Sequence, residues 1–333
     1  MTTRRTFLAA GLAAAAAGRL SAQEKRPAER SAPRVYRVGL LMPVERSANE
    51  ANIEELRSGL KDLGYTEGQN LRLEYRSGDP RAERYTALAA ELAALPVDAI
   101  VTNGTPATLA AKNAPGAIPV VTVGVVDPVE TGLVASLERP GGNVTGIAVL
   151  TKELEAKRLE LLKALAPGAK RVAAFMDMGN PGITSVWRAV EAAAPGLGLQ
   201  AELYDVRKGR KLPRAFSAAV ARKTDAFIVR IGTLTDEERK TVVELAARYK
   251  LPAIYPTRPF VDLGGLMSYG VNASHMFNRA AVLLDKILKG GKPAELEMER
   301  PSKFEFVINR KTAHLLDLVI PPDLLLRSDK VVG

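Results

Sequence analysis

Apolar residues recur along this chain in two rhythms. One is a short continuous or alternating β-branched run, as in residues 34–44 (RVYRVGLLMPV), 97–104 (VDAIVTNG) and 118–126 (IPVVTVGVV). The other has the three-to-four spacing of an amphipathic helix, as in residues 51–65 (ANIEELRSGLKDLGY) and 81–95 (RAERYTALAAELAAL). Short uninterrupted apolar runs read as strands covered on both faces, and the longer spaced pattern reads as their covering helices. Strands are also predicted over 70–78 and 144–150, with short helices over 106–114 and 129–137.

The alternation then repeats in kind. Residues 151–165 form a long amphipathic helix, with Thr151 expected as its N-cap and Glu153 and Glu155 near its start. Strands follow over 170–177, 199–206, 225–232, 251–256 and 264–270. Helices intervene over 182–194, 212–222 and 235–249, and another covers 275–290. Strand–helix alternation implies βαβ units and parallel sheets. The expected fold class is α/β, as two doubly wound parallel-sheet lobes joined by a hinge. Lobe 1 is expected over 35–149 plus 270–298, and lobe 2 over 150–269 plus 299–333.

The amino terminus breaks the pattern. MTTRRTFLAAGLAAAAAGRLSAQ has a charged start, an apolar stretch and a small-residue exit, which is an export signal over 1–22. The apolar stretch from Phe7 to Gly18 is too short for a membrane span, which needs about 20 residues. Arg4 and Arg5 followed by Phe7 and Leu8 resemble a twin-arginine signal, although Ala9 stands where a Lys is common. Residues 23–34 are polar and Pro-containing, and read as a linker.

Composition narrows the function. The formal charge is +10, and loss of Arg4, Arg5 and Arg19 with the leader leaves +7. Those cations are interspersed with acids, so a nucleic-acid partner is not expected. The chain has no Cys, which removes thiol nucleophiles, disulfides and a lipid-anchoring cleavage site. The two histidines, His275 and His314, are far apart in sequence, which argues against Ser–His catalysis or a histidine metal site. No phosphate-binding glycine motif follows a strand. Asp236, Glu237 and Glu238 open a helix, where they complement its dipole. No cofactor, metal or catalytic residue is expected.

What remains are the loops after the strands, where doubly wound sheets hold ligands. In VTNGTPATLAAK (101–112) and MDMGNPGITS (176–185), a helix start follows hydroxyl and Asn groups. Such a start suits a carboxylate. The expected ligand-binding residues are Asn103, Thr105, Asn180 and Thr184 at these starts, Asp127 to meet an amine, and Tyr255 and Tyr269 to stack on a planar group.

VTNGTPATLAAK, IPVVTVGVVDPVETGLVASLERPGGNVTG, GGLMSYGVN and PSKFEFVINRKTAHLLDLVIPPDLLLRSDKVV together resemble the ABC-transporter substrate-binding family that includes the TrpX-type tryptophan and tyrosine binders. The likeness runs from about Val35 to Val332. It implies a type I periplasmic-binding fold, with three crossovers between lobes that close on a small-molecule ligand and present it to an inner-membrane ABC permease. The crossovers are expected near Val149–Leu150, Leu266–Val271 and Glu297–Ser302. The implied protein is a periplasmic monomer that binds an amino acid or an aromatic or carboxylic acid. Three alternatives stay open at this point: a sugar or nucleoside binder of the same fold, a transcription regulator, or an enzyme on the same scaffold using Asp127 or Asp177.

Overall fold

A computed structural model of the chain describes residues 34–77, 82–207, 211–230, 234 and 236–333. The expected export signal over 1–22 and residues 23–33 of the expected linker lie outside the described residues. Strands β1 (Tyr36–Met42), β2 (Leu71–Ser77), β3 (Ala99–Asn103), β4 (Val120–Val126) and β5 (Val144–Val149) form a parallel sheet in the order β2-β1-β3-β4-β5. Strands β6 (Arg171–Met176), β7 (Gln200–Asp205), β8 (Ala226–Arg230), β9 (Ala253–Tyr255), β10 (Met267–Val271), β11 (Phe304–Asn309) and β12 (Lys330–Val332) form a second sheet in the order β12-β11-β10-β9-β8-β6-β7. All its pairs are parallel except β10 with β11.

Helices α1 (Arg46–Asp62), α2 (Ala82–Ala93) and α3 (Thr105–Lys112) cover the first sheet with α9 (Ala273–Leu288). Helix α9 shows why its sequence folds locally and docks where it does. The Asn272 side chain accepts the His275 N–H at 2.9 Å and caps the helix. Met276, Phe277, Ala280, Ala281, Leu284 and Leu288 recur at helical spacing and are buried with β1, β3, β4 and α1. The second sheet is covered by α4 (Thr151–Leu165), α5 (Ile183–Ala193), α6 (Leu212–Ala221), α7 (Asp236–Arg248), and the short α8 (Pro259–Asp262), α10 (Arg310–Leu315) and α11 (Pro322–Arg327).

The chain passes between the sheets three times: from β5 to α4, from β10 to α9, and through Glu299, which pairs with Ile147 beside β5 before β11 begins. A kink in β4 shapes the first crossing. Its register with β5 shifts between Thr122 and Val125, and Gly124 sits at φ +70°, a conformation glycine adopts without steric cost. The bulge aims Val126 and Asp127 toward the second sheet.

Two local expectations are corrected. Residues 129–137 form turns rather than a helix, with Gly132 at φ +68° interrupting any helical path. Thr151 is the first residue of α4, not its cap, because Asp127 from the β4 loop takes its backbone N–H instead.

Candidate functional site

The carboxyl ends of the two sheets face each other, and their loops touch. After β3, the backbone turns at Gly104 and enters α3. A buried hydroxyl chain holds that turn: Thr108 Oγ1 bonds Thr102 Oγ1 at 2.8 Å, Thr122 Oγ1 at 2.7 Å and the Gly104 carbonyl at 2.7 Å. Thr105 is 1% exposed, and its Oγ1 accepts the Val126 N–H at 3.3 Å. Its hydroxyl proton is left to donate. From the second sheet, Gly182 packs so closely that a Cβ there would lie 2.9 Å from Thr105 Oγ1 and 3.0 Å from Val126 Cβ. Farther out, Ser185 Oγ donates to Glu130 Oε2 at 2.8 Å, with Arg188 also beside that carboxylate at 3.9 Å.

Asp127 joins the two halves from a strained position, at φ +37°. Its carboxylate accepts the Thr151 N–H at 3.2 Å and the Thr151 hydroxyl at 2.5 Å. Burial, the largest influence, holds the Asp127 carboxyl above its ordinary value against those hydrogen bonds.

One turn along α4 lies a buried charge cluster that the sequence reading passed over. Glu155 is 0% exposed and Arg158 is 2% exposed. Arg158 Nη1 donates to Glu155 Oε1 at 2.5 Å, and its Nε donates to the Tyr269 carbonyl at 2.8 Å. Arg230, the last residue of β8, brings its Nε to 3.4 Å from the same Glu155 oxygen. Glu155 Oε2 and Arg230 Nε have no hydrogen-bond partner. Desolvation lowers Arg158 to about 10, a direction that neighbouring Arg230 reinforces. A hint was present in the sequence: Glu155 and Arg158 interrupt the apolar face of Leu154, Leu159 and Leu162 at an i,i+3 spacing. Arg230 carried no comparable signal.

The expected site residues separate into groups. Thr105 and Asp127 sit where the loops meet. Asn103 ends β3 half-buried, beside the same turn. Asn180 Oδ1 accepts the Gly182 N–H at 3.1 Å and so shapes the opposing loop. Thr184 is exposed on the first turn of α5. Tyr255 is fully buried in the core of the second sheet, stacked on Phe260 with ring centres 4.8 Å apart. Tyr269 is half-buried at the second crossing and stacks on Phe304 at 5.9 Å. Asn49, in the first turn of α1 after β1, is 4% exposed with its Nδ2 unpartnered. It belongs with the strand-end groups of the first sheet.

An open recess of about 420 Å³, lined by Arg171, Gln200, Glu202, Arg222 and Thr224, lies at the opposite, amino-terminal edge of the second sheet. Its charges already pair, with Arg222 on Glu202 and Arg171 on the Arg222 carbonyl. The ligand-binding rule for such sheets favours the carboxyl ends instead.

Two mostly parallel sheets, crossed three times and meeting at their carboxyl ends, define a two-lobed solute-binding protein of the type I periplasmic class. The chain belongs to the ABC transporter substrate binding protein family, which it matches over residues 37–332. It is 26% identical over 282 residues to the tyrosine-binding protein of Clostridioides difficile, covering 84% of this chain and 81% of that one. A crystal structure of an ABC domain from Streptococcus pneumoniae in complex with L-Trp superposes with a TM-score of 0.83 at 26% identity, covering 90% of this chain and all of the other. A leucine binding protein from Thermotoga maritima shares the fold, with a TM-score of 0.61 at 16% identity over 85% of this chain and 87% of the other. No helix among the described residues is long and apolar enough to cross a membrane.

Proposed function

We propose that this protein binds a small amino acid or an aromatic or carboxylic acid between two lobes and delivers it to an inner-membrane ABC permease. The observation that carries this reading is the meeting of strand-end loops from both sheets over buried, incompletely satisfied polar groups. A ligand seated there would bridge 35–149 with 270–298 on one side and 150–269 with 299–333 on the other. Closure is favoured only to the extent that the ligand binds the closed form better. Thr105 and Asn103 contribute from the first sheet and Asn180 from the second. No covalent step is required of any of them. The Arg4–Arg5 leader and the absence of Cys support a protein exported to the periplasm without a lipid anchor.

The relatives that bind tyrosine and L-Trp support the amino-acid class. Tyr269 is the aromatic group best placed for a planar ligand, since its ring is half-buried at a crossing. The test is a thermal-shift screen across amino acids, aromatic acids, nucleosides and sugars. A ligand at 100 times its dissociation constant adds about 2.7 kcal/mol of stability. Stabilisation by L-amino acids or aromatic acids is the expected result. Stabilisation by neutral sugars or nucleosides alone would overturn the ligand class and leave the binding role standing.

A further inference from the structure

We propose that Arg230 is the residue that fixes the ligand's carboxylate, and that Glu155 and Arg158 are the positioning pair that hold its guanidinium in place. This rests on the binding reading above and names the group that would decide which solutes are accepted.

Placement is the first argument. Arg230 ends β8 at the carboxyl edge of the second sheet, and its own carbonyl accepts the Asp177 N–H at 3.3 Å. It therefore stands beside the 177–182 loop, whose Gly182 packs on Thr105. On its other side is Glu155, one turn beyond Thr151, which Asp127 of the first sheet holds by two hydrogen bonds. The side chain is bracketed by the two places where the sheets meet.

Charge is the second argument. Two guanidinium groups share one carboxylate in a setting where Arg230, Arg158 and Glu155 are 15%, 2% and 0% exposed. Glu155 Oε1 is committed to Arg158 at 2.5 Å, which leaves Arg230 the longer 3.4 Å approach. Asp127, another carboxylate whose charge reaches Arg230, has both oxygens engaged by Thr151. Asp127 and Arg230 attract each other through space without forming an ion pair. Arg230 is thus 15% exposed with its buried Nε unpartnered, and an added anion would offset that unmatched donor. A guanidinium presents five N–H donors in a planar fork that matches a carboxylate.

The pair behind it explains the orientation. Arg158 spends its Nε on the Tyr269 carbonyl, so it is tied to β10 and cannot swing toward a ligand. Glu155, held by Arg158, attracts Arg230 Nε at 3.4 Å without a full hydrogen bond and leaves the terminal nitrogens to act. An unliganded closure would bury Arg230 with its donors unmet. A carboxylate removes that penalty, so closure is coupled to the anionic part of the ligand.

The test uses the mature chain and calorimetry with three probes: L-tyrosine, tyramine, which lacks the carboxylate, and 3-(4-hydroxyphenyl)propionate, which lacks the ammonium. Wild-type protein should bind L-tyrosine and retain the propionate, but lose tyramine by about 10- to 100-fold, the worth of hydrogen bonds to a charged group. Arg230→Gln should lose L-tyrosine by a similar factor and no longer distinguish it from tyramine, while Arg230→Lys keeps part of the preference. Circular dichroism establishes that each variant is folded. The loss of discrimination is a readout that a merely structural role would not move. If wild-type protein binds tyramine as tightly as L-tyrosine, or Arg230→Gln keeps the full preference, the assignment of Arg230 is overturned and the binding role stands. If no carboxylate in the screen binds wild-type protein, the ligand class fails, and this inference fails with it.

Discussion

Replacing Gly182 by Ala isolates the contact between the two sheets. The backbone at this position has φ −68° and ψ −16°, which alanine adopts without strain. The added Cβ would meet Thr105 Oγ1 at 2.9 Å and Val126 Cβ at 3.0 Å, where ordinary contacts begin near 3.4 Å. Relief requires the loops to part by about half an ångström, and overpacking of this kind costs roughly 1–3 kcal/mol. Both offending atoms belong to elements of the first sheet, α3 and the end of β4, and Gly182 precedes α5 of the second, so under the proposed closure the cost falls on the closed form and vanishes when the lobes separate. The whole penalty then appears in ligand affinity, as a loss of about 5- to 150-fold. The unliganded protein should melt at the wild-type temperature or slightly higher, because Gly→Ala at a compatible position restricts the unfolded chain and gains about 0.4–1 kcal/mol. Calorimetric titration with the screened ligand, alongside melting curves of the ligand-free protein, separates the two effects. The reasoning is refuted if affinity is unchanged while the ligand-free protein loses several degrees, since the clash would then belong to the folded core and not to closure.

Removing the shared counter-charge by Glu155→Gln leaves two guanidinium groups buried without an anion; the expected loss is about 3–5 kcal/mol, read in urea unfolding, and a loss below 1 kcal/mol would contradict the burial argument. Asp127 makes stability fall with rising pH: its carboxyl is held above the ordinary 3.8, so the folded chain keeps that proton to higher pH than the unfolded chain. Its contribution is complete below the unfolded value and is lost as pH passes the folded one. Unfolding free energies of wild-type and Asp127→Asn protein, compared from pH 3.5 upward, should show the wild type losing ground as pH rises. Ser185→Ala removes a hydrogen bond of 2.8 Å to Glu130 across the rim; ligand dissociation should quicken several-fold, since such a bond is worth about 0.5–1.5 kcal/mol, and stopped-flow release measures it. Thr105→Val removes the hydroxyl that still has a proton to donate; affinity should fall by about 1.5–3 kcal/mol if that proton meets a ligand carboxylate, and equal calorimetric affinities would take Thr105 out of the site.

Local chemistry by itself determined the two-lobed α/β architecture. Buried strands such as 120–126 are continuous β-branched runs, and helices such as 273–288 carry an apolar stripe, so period alone separated the two. It also singled out candidate loops, because a strand end followed by Asn, Gly and Thr marks a helix start wherever it falls. What only the tertiary structure decided is which groups those loops bring together. Asp127 lies 24 residues from Thr151, yet it replaces the cap that the helix sequence suggests. Residues 129–137 carry helical spacing but turn instead, for Gly132 adopts a positive φ and the segment packs under the first sheet's edge. Tyr255 and Tyr269 look alike in sequence, as aromatics at strand ends; packing buries the first entirely and leaves the second half-exposed at a crossing. The charge cluster was the least legible feature. Glu155 and Arg158 stand three residues apart on α4, but Arg230 stands 75 residues from Glu155. Whether a charge faces water or its neighbours depends on what the rest of the chain folds over it. That covering is supplied by contacts distant in sequence, which no local pattern encodes.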